Sequence, residues 1–235
     1  MNVPGKNIVL WVLIITGLLI TSVRNSAQTT AEALMKALEA KIAKVKTYTV
    51  NLQLDINIPF VEAPPTKATL YFKAPDKTHI ETKGFAMLPK QGPDLSVFRI
   101  LTQPYAIVDV GTTKLNGKTL RQIKVIPTTD ASPIAVATFY TDVATALPTR
   151  VEAVTRNGGT LTAEFKFTNT KASAYALPSY AKLMFEVPPM DLPRMMSGDL
   201  DKPKTNTNGK PVKASVEIHY TDYKINVPIK DDVFR

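Results

Sequence analysis

The sequence predicts a mainly β protein with one clear N-terminal helix. The expected architecture is a strongly curved antiparallel sheet, an incomplete β-barrel of about 10–11 strands, with a helix and loop lid over a hydrophobic cavity. Three observations carry this. Residues 34–45 repeat at helical spacing and nothing later in the chain does so as clearly. Residues 48–58 then switch to strict two-residue alternation. Finally, Phe139 to Phe167 reads as three strands in a meander, one face apolar and the other polar. Sheets with one wet face are antiparallel, and this many strands must curl to hide the other face.

The helix comes first. Thr29 and Glu32 have the spacing of a capping box, and Leu34, Leu38, Ile42 and Val45 form one stripe. Tyr48, Val50, Leu52, Leu54, Ile56 and Ile58 then share one strand face, with Thr49, Asn51, Gln53, Asp55 and Asn57 on the other. Ala63-Pro64-Pro65 breaks the pattern; Ala68, Leu70 and Phe72 resume it, and Ala74-Pro75-Asp76-Lys77 turns the chain into a strand from His79 to Lys83. Further strands are predicted at Val97–Leu101, Tyr105–Val110, Leu120–Ile126, Ile134–Thr141, Thr149–Val154, Thr160–Thr168, Ala181–Val187 and Val212–Ile225. Within the meander, Asp142 opens one bend, and Asn157-Gly158-Gly159 tolerates the positive φ of the other. Apolar parity changes from Val216, Ile218 and Tyr220 to Tyr223 and Ile225, which predicts a bulge near Thr221-Asp222.

Lys6, an apolar run from Ile8 to Ile20 and the small pair Ser26-Ala27 follow the order of a secretory signal. Thirteen apolar-run residues fall short of the ~20 of a spanning helix, so residues 1–27 read as a cleaved signal, a retained anchor being the alternative. Residues 28–235 form a single domain. The chain has no cysteine, which excludes disulfides, thiolate metal sites and the acylated cysteine of a lipoprotein. Such a chain fits the periplasm of a Gram-negative-type bacterium. Losing Lys6 and Arg24 lowers the formal charge from +9 to +7, a surface suited to anionic headgroups or simply kept soluble by lysine. No run of like charge argues for nucleic acid.

Little in the chain points to covalent chemistry. His79 and His219 lack metal-ligand spacing, no Gly-x-Ser-x-Gly or phosphate-cradling glycine loop occurs, and no cofactor is implied. Asp109, Asp142, Glu152 and Asp222 read as solvated carboxylates. Apolar rings and methionines are more suggestive: Phe60, Phe72, Phe85, Met87, Phe98, Phe139, Phe165, Phe167, Met184 and Phe185 exceed what one helix covers. The Pro-rich, apolar Val187–Met196 segment is a candidate cover for a greasy opening, and Ser197–Lys210 reads as a polar tract.

The order of these pieces resembles the LolA-like superfamily, which includes the LolA and LolB lipoprotein carriers, mycobacterial lipid-binding lipoproteins and RseB. The resemblance rests on Leu70-Tyr-Phe-Lys-Ala-Pro-Asp-Lys-Thr-His-Ile80, on Asn116-Gly117-Lys118, on Phe139-Tyr-Thr-Asp142 with Leu147-Pro148-Thr-Arg150, and on Val216 to Asn226. It implies a half-barrel whose apolar interior holds acyl chains without covalent chemistry, the partner being an acyl lipid or lipidated protein, with transient contact to a membrane surface or envelope proteins. An RseB-like sensor or docking module is the alternative. The expected cavity wall is Val50, Leu52, Leu54, Leu70, Phe72, Phe98, Phe139, Phe165, Phe167 and Phe185.

Overall fold

A computed structural model describes residues 30–57, 64–82, 98, 100–115, 117–156, 158–187 and 212–234. The predicted signal segment, Phe60, Phe85, Met87 and the stretch from Pro188 to Pro211 lie outside them.

Helix α1 spans Ala31–Ala43. Thr30 caps it, its Oγ1 accepting from the Ala33 N–H at 3.2 Å. The cap is thus one residue later than the expected Thr29, which puts Glu32 in the second helical position and dissolves the capping box. Leu34, Met35 and Leu38 are buried, Ile42 packs against the same core, and Val45 is buried just beyond the helix end.

Ten strands follow: β1 (Thr47–Asn57), β2 (Thr66–Lys73), β3 (Lys77–Thr82), β4 (Tyr105–Leu115), β5 (Lys118–Pro127), β6 (Ile134–Asp142), β7 (Leu147–Thr155), β8 (Thr160–Lys166), β9 (Tyr180–Val187) and β10 (Val212–Ile225). They form one antiparallel sheet in the order β3-β2-β1-β10-β9-β8-β7-β6-β5-β4. It is open, with β3 and β4 as edges. Two meanders are joined where the last strand pairs with the first.

Alternation places the core on one face. Val50, Leu52 and Leu54 of β1, Ala68 and Leu70 of β2, Ile123 and Val125 of β5, Phe139, Val151, Ala163, Phe165, Ala181 and Ile218 belong to one apolar cluster with the buried side of α1. Helix α1 lies against β4 and β5. The expected strand at Val97–Leu101 is instead a 3-10 turn at Ile100–Thr102. Ile100 and Leu101 are both buried, and a strand would have sent one of these neighbours to the opposite face.

Turn chemistry matches the residues. Asp142 Oδ1 accepts from the N–H groups of Ala144 and Thr145, closing the β6–β7 bend. Gly158 takes φ +85° in the β7–β8 turn. Asp222 takes φ +56° at the predicted bulge, where the β1–β10 register shifts between Thr49 and Asn51. A second bulge at Asp109/Gly111 lets β4 run to Leu115, five residues past its expected end, by resetting parity midway. Short helix α2 (Thr170–Ser173) and a 3-10 turn at Asp231–Phe234 complete the described elements.

Candidate functional site

The apolar inner face is the candidate site, and its ten expected wall residues divide three ways. Val50, Leu52, Leu54, Leu70, Phe139 and Phe165 are buried in the core, while Phe72, Phe98 and Phe167 are half-buried and packed against it. Phe185 is half-buried outside that cluster; it shares the inner parity of Ala181 and Leu183 but sits further along β9. Met184 falls on the opposite parity, paired with Thr162 and Ser215.

Pairing produces a feature that no single strand announces. At the end of the sheet where β1 stops and β10 begins, Ile56 pairs with Val216 and Val216 with Leu183. Phe185 pairs with Leu161 alongside. All five are half-buried and on the inner face, whereas Leu54, Ile218, Ala181 and Ala163 deeper in the same strands are buried. The inner face is therefore closed in its middle and less fully covered along this band, within which Ala214, paired with Phe185, is buried. Parity alone places Val216 and Ile56 inward, but only strand order shows that they meet each other and Leu183.

Aromatic rings fill the opposite end. Tyr48 stacks on Phe72 at 5.0 Å between centroids, and Tyr223 lies 6.0 Å from Tyr48 and 6.2 Å from Tyr220. Tyr223 donates its hydroxyl to the Pro178 carbonyl at 2.8 Å. Burial pushes both Tyr220 and Tyr223 far above the ordinary phenol pKa, so these hydroxyls stay neutral. Phe98 adds a ring 5.2 Å from Phe165, which lies 6.3 Å from Phe167.

Polar groups secure the cover. Arg121 bonds Asp109, whose other oxygen accepts from the Gly111 N–H at 3.0 Å. The Arg121 hydrogen bond holds the Asp109 carboxyl below its ordinary value, with the Ala31 N–H at the start of α1 contributing as well. Asp109 thus ties the β4 bulge to Arg121 of β5 while staying exposed, as its strand pattern implied. Tyr105 of β4 donates to Glu39 of α1 at 2.5 Å, and burial followed by this bond raises its pKa. A concavity of about 250 Å³ lies between them, lined by Glu32, Met35, Lys36, Glu39, Tyr105 and Ile107.

The outer face carries charged pairs from β7 to β10 and the exposed apolar side chains Val108, Ile126 and Val154 on β4, β5 and β7. Arg150 meets Glu152 at 2.7 Å and Glu164 at 3.6 Å, and Lys182 meets Glu217 at 2.8 Å. Lys182 and then Tyr180 hold the Glu217 carboxyl below its usual range, while burial and the Glu217 bond push Tyr180 up to about 12. His219 packs edge-on to Tyr180 at 5.0 Å and His79 lies 6.1 Å from Tyr71, so each histidine has an ordinary aromatic neighbour. Asn51, Gln53, Lys67, Thr69, Glu81, His219 and Thr221 line a shallow polar concavity of about 450 Å³. The described residues outline no apolar cavity of the expected kind, because inner side chains pack against one another. Among them, no three potential ligands gather to hold a metal ion.

No family model and no curated protein matches the chain. Solved structures do resemble it. A LolA superfamily protein from Nitrosomonas europaea superposes with TM-score 0.55 at 12% identity, covering 88% of this chain and 97% of its own. A domain described as an outer membrane lipoprotein-sorting protein, from Vibrio parahaemolyticus, gives 0.55 at 13%, covering 87% and 97%. A DUF1329 family protein from Desulfovibrio piger gives 0.50 at 10%, covering 87% and 96%. At these identities the likeness is one of fold, and the fold is LolA-like.

Proposed function

From a LolA-like fold whose inner face is half-exposed at one end, we propose that this chain is an exported, non-enzymatic binding protein that holds acyl chains of lipid or lipidated protein. The carrying observation is the band Ile56, Val216, Leu183, Leu161 and Phe185, a strip of inner face left partly uncovered. An acyl chain entering there continues the core: a C16 chain offers about 13 kcal/mol gross at ~0.8 kcal/mol per methylene. A carrier role in lipoprotein or lipid transport within the bacterial envelope follows if the load is returned. Residues 1–27 are its export signal, and N-terminal sequencing of envelope material that begins at Met1 would overturn that part.

Displacement of a fluorescent acyl probe tests the binding reading. Leu183→Glu and Phe185→Glu lie at half-buried inner positions of the band and are expected to weaken binding at least tenfold, because an ionised carboxylate in an apolar site is costly to desolvate. His219→Ala on the outer face is expected to change it less than twofold. The reverse ranking refutes the proposal.

A second reading is an RseB-like docking or sensing module without a carried load. The outer concavity around Asn51, Gln53 and His219 favours it, since that concavity offers hydrogen-bonding groups. Native mass spectrometry of envelope-purified protein separates the two: bound acyl lipid supports the carrier, and a bare chain supports docking.

A further inference from the structure

Three segments meet at the end of the sheet opposite the apolar band: the α1–β1 link, the β2–β3 turn and the C-terminal tail. Asn226 ties them. Its Oδ1 accepts from the Lys46 N–H at 2.8 Å and, longer, from Thr47 at 3.4 Å, while its Nδ2 donates to the Lys44 carbonyl at 3.0 Å. Thr47 donates its hydroxyl to the Val227 carbonyl at 2.6 Å, and the Ala74 N–H donates to the Lys46 carbonyl at 2.8 Å. These bonds gather Lys44, Lys46, Lys73, Lys77, Lys224 and Lys230 on one rim. The acidic residues nearby are Asp76, Asp231, Asp232 and, two residues before Lys224, Asp222, which accepts from Asn51; Asp231 already serves Lys73 at 2.8 Å and Lys77 at 3.6 Å. In their midst Val227 stands 49% exposed, followed by Pro228 and Ile229.

A ring of mobile ammonium groups around a protruding apolar residue matches a bilayer interface: headgroup phosphates take the lysines and the acyl boundary takes the valine. A protein partner would require directional pairing, whereas Lys44, Lys46, Lys224 and Lys230 are exposed side chains on flexible stems, suited to diffuse negative charge. We propose that this rim docks the protein onto anionic phospholipid surfaces. The inference stands on the rim alone and does not require that the inner face bind an acyl chain.

The test is flotation of the full chain with vesicles of phosphatidylcholine alone or mixed with phosphatidylglycerol. The readout is the ratio of the two partition coefficients, so that affinity for neutral lipid, common to both vesicles, cancels. Each lysine at an anionic surface contributes about fivefold, so Lys44→Gln/Lys46→Gln/Lys224→Gln/Lys230→Gln is expected to lower the ratio at least tenfold. The control Lys36→Gln/Lys67→Gln/Lys124→Gln/Lys213→Gln removes equal charge elsewhere and is expected to leave it within about twofold to threefold. Equal losses from both sets, or none from the rim set, overturn the proposal. Should the rim variant fail to fold by circular dichroism, Val227→Ser decides: lower binding to anionic vesicles supports docking, unchanged binding refutes it. Acyl-probe affinity measured on the same variants reports separately on the inner face.

Discussion

Replacing Asn226 isolates the clamp on which the lysine rim depends. Its side chain makes two bonds of good length, to the Lys46 N–H at 2.8 Å and the Lys44 carbonyl at 3.0 Å, and its backbone holds φ +57°. A hydrogen bond in such a partly hydrated place contributes about 0.5–1 kcal/mol net, since water replaces the lost partner. Left-handed φ costs an alanine roughly 1 kcal/mol more than an asparagine, and costs glycine nothing. Asn226→Ala is therefore expected to lose about 2–3 kcal/mol and Asn226→Gly about 1–2 kcal/mol. Asn226→Asp keeps the acceptor, loses the donor, and stands among lysines; about 1 kcal/mol or less is expected. Urea unfolding followed by far-ultraviolet circular dichroism gives all three from midpoints at constant m. The order Asp, Gly, Ala from mildest to most damaging is the signature. If glycine proves worse than alanine, the left-handed conformation is not what asparagine supplies there; if all three match the parent, the clamp does not hold the rim.

Phe139 is wholly buried on β6, so Phe139→Ala is expected to cost about 3–5 kcal/mol in the same assay, and a loss below ~1 kcal/mol would mean the core does not close around it. Acid should loosen the tether between Asp109 of β4 and Arg121 of β5. The Asp109 carboxyl is held below its ordinary 3.8, chiefly by Arg121, so its contribution is present above that value and is lost as pH falls through the folded pKa. Asp109→Asn should accordingly flatten the acid limb of a stability–pH curve below about pH 5, and an unchanged limb would rule out this tether.

Much of the architecture was legible because alternation is a local property. Whether Val50, Leu52 and Leu54 face inward depends only on their two-residue spacing, and β1, β8 and the bulge at Asp222 follow from it. Asn226, noted in sequence only as part of a closing pattern, owes its importance to partners about 180 residues away. The misread strand has an equally local cause. Val97 to Leu101 is rich in β-formers, yet Ile100 and Leu101 are both buried neighbours, which a 3-10 turn permits and a strand does not. Asp109 is exposed as read, but its bond to Arg121 across the β4–β5 pair exists only in the folded chain.

Sequence by itself determined which side chains each strand turns toward the interior, since that choice is made within a few bonds of backbone geometry. Tertiary structure alone decided which of those side chains meet. Ile56, Val216, Leu183, Leu161 and Phe185 form one half-exposed band because β10 inserts between β1 and β9 and β9 pairs with β8. That neighbourhood is set by long-range pairing, whose free energy depends on the whole sheet closing its apolar face at once and is written in no single segment.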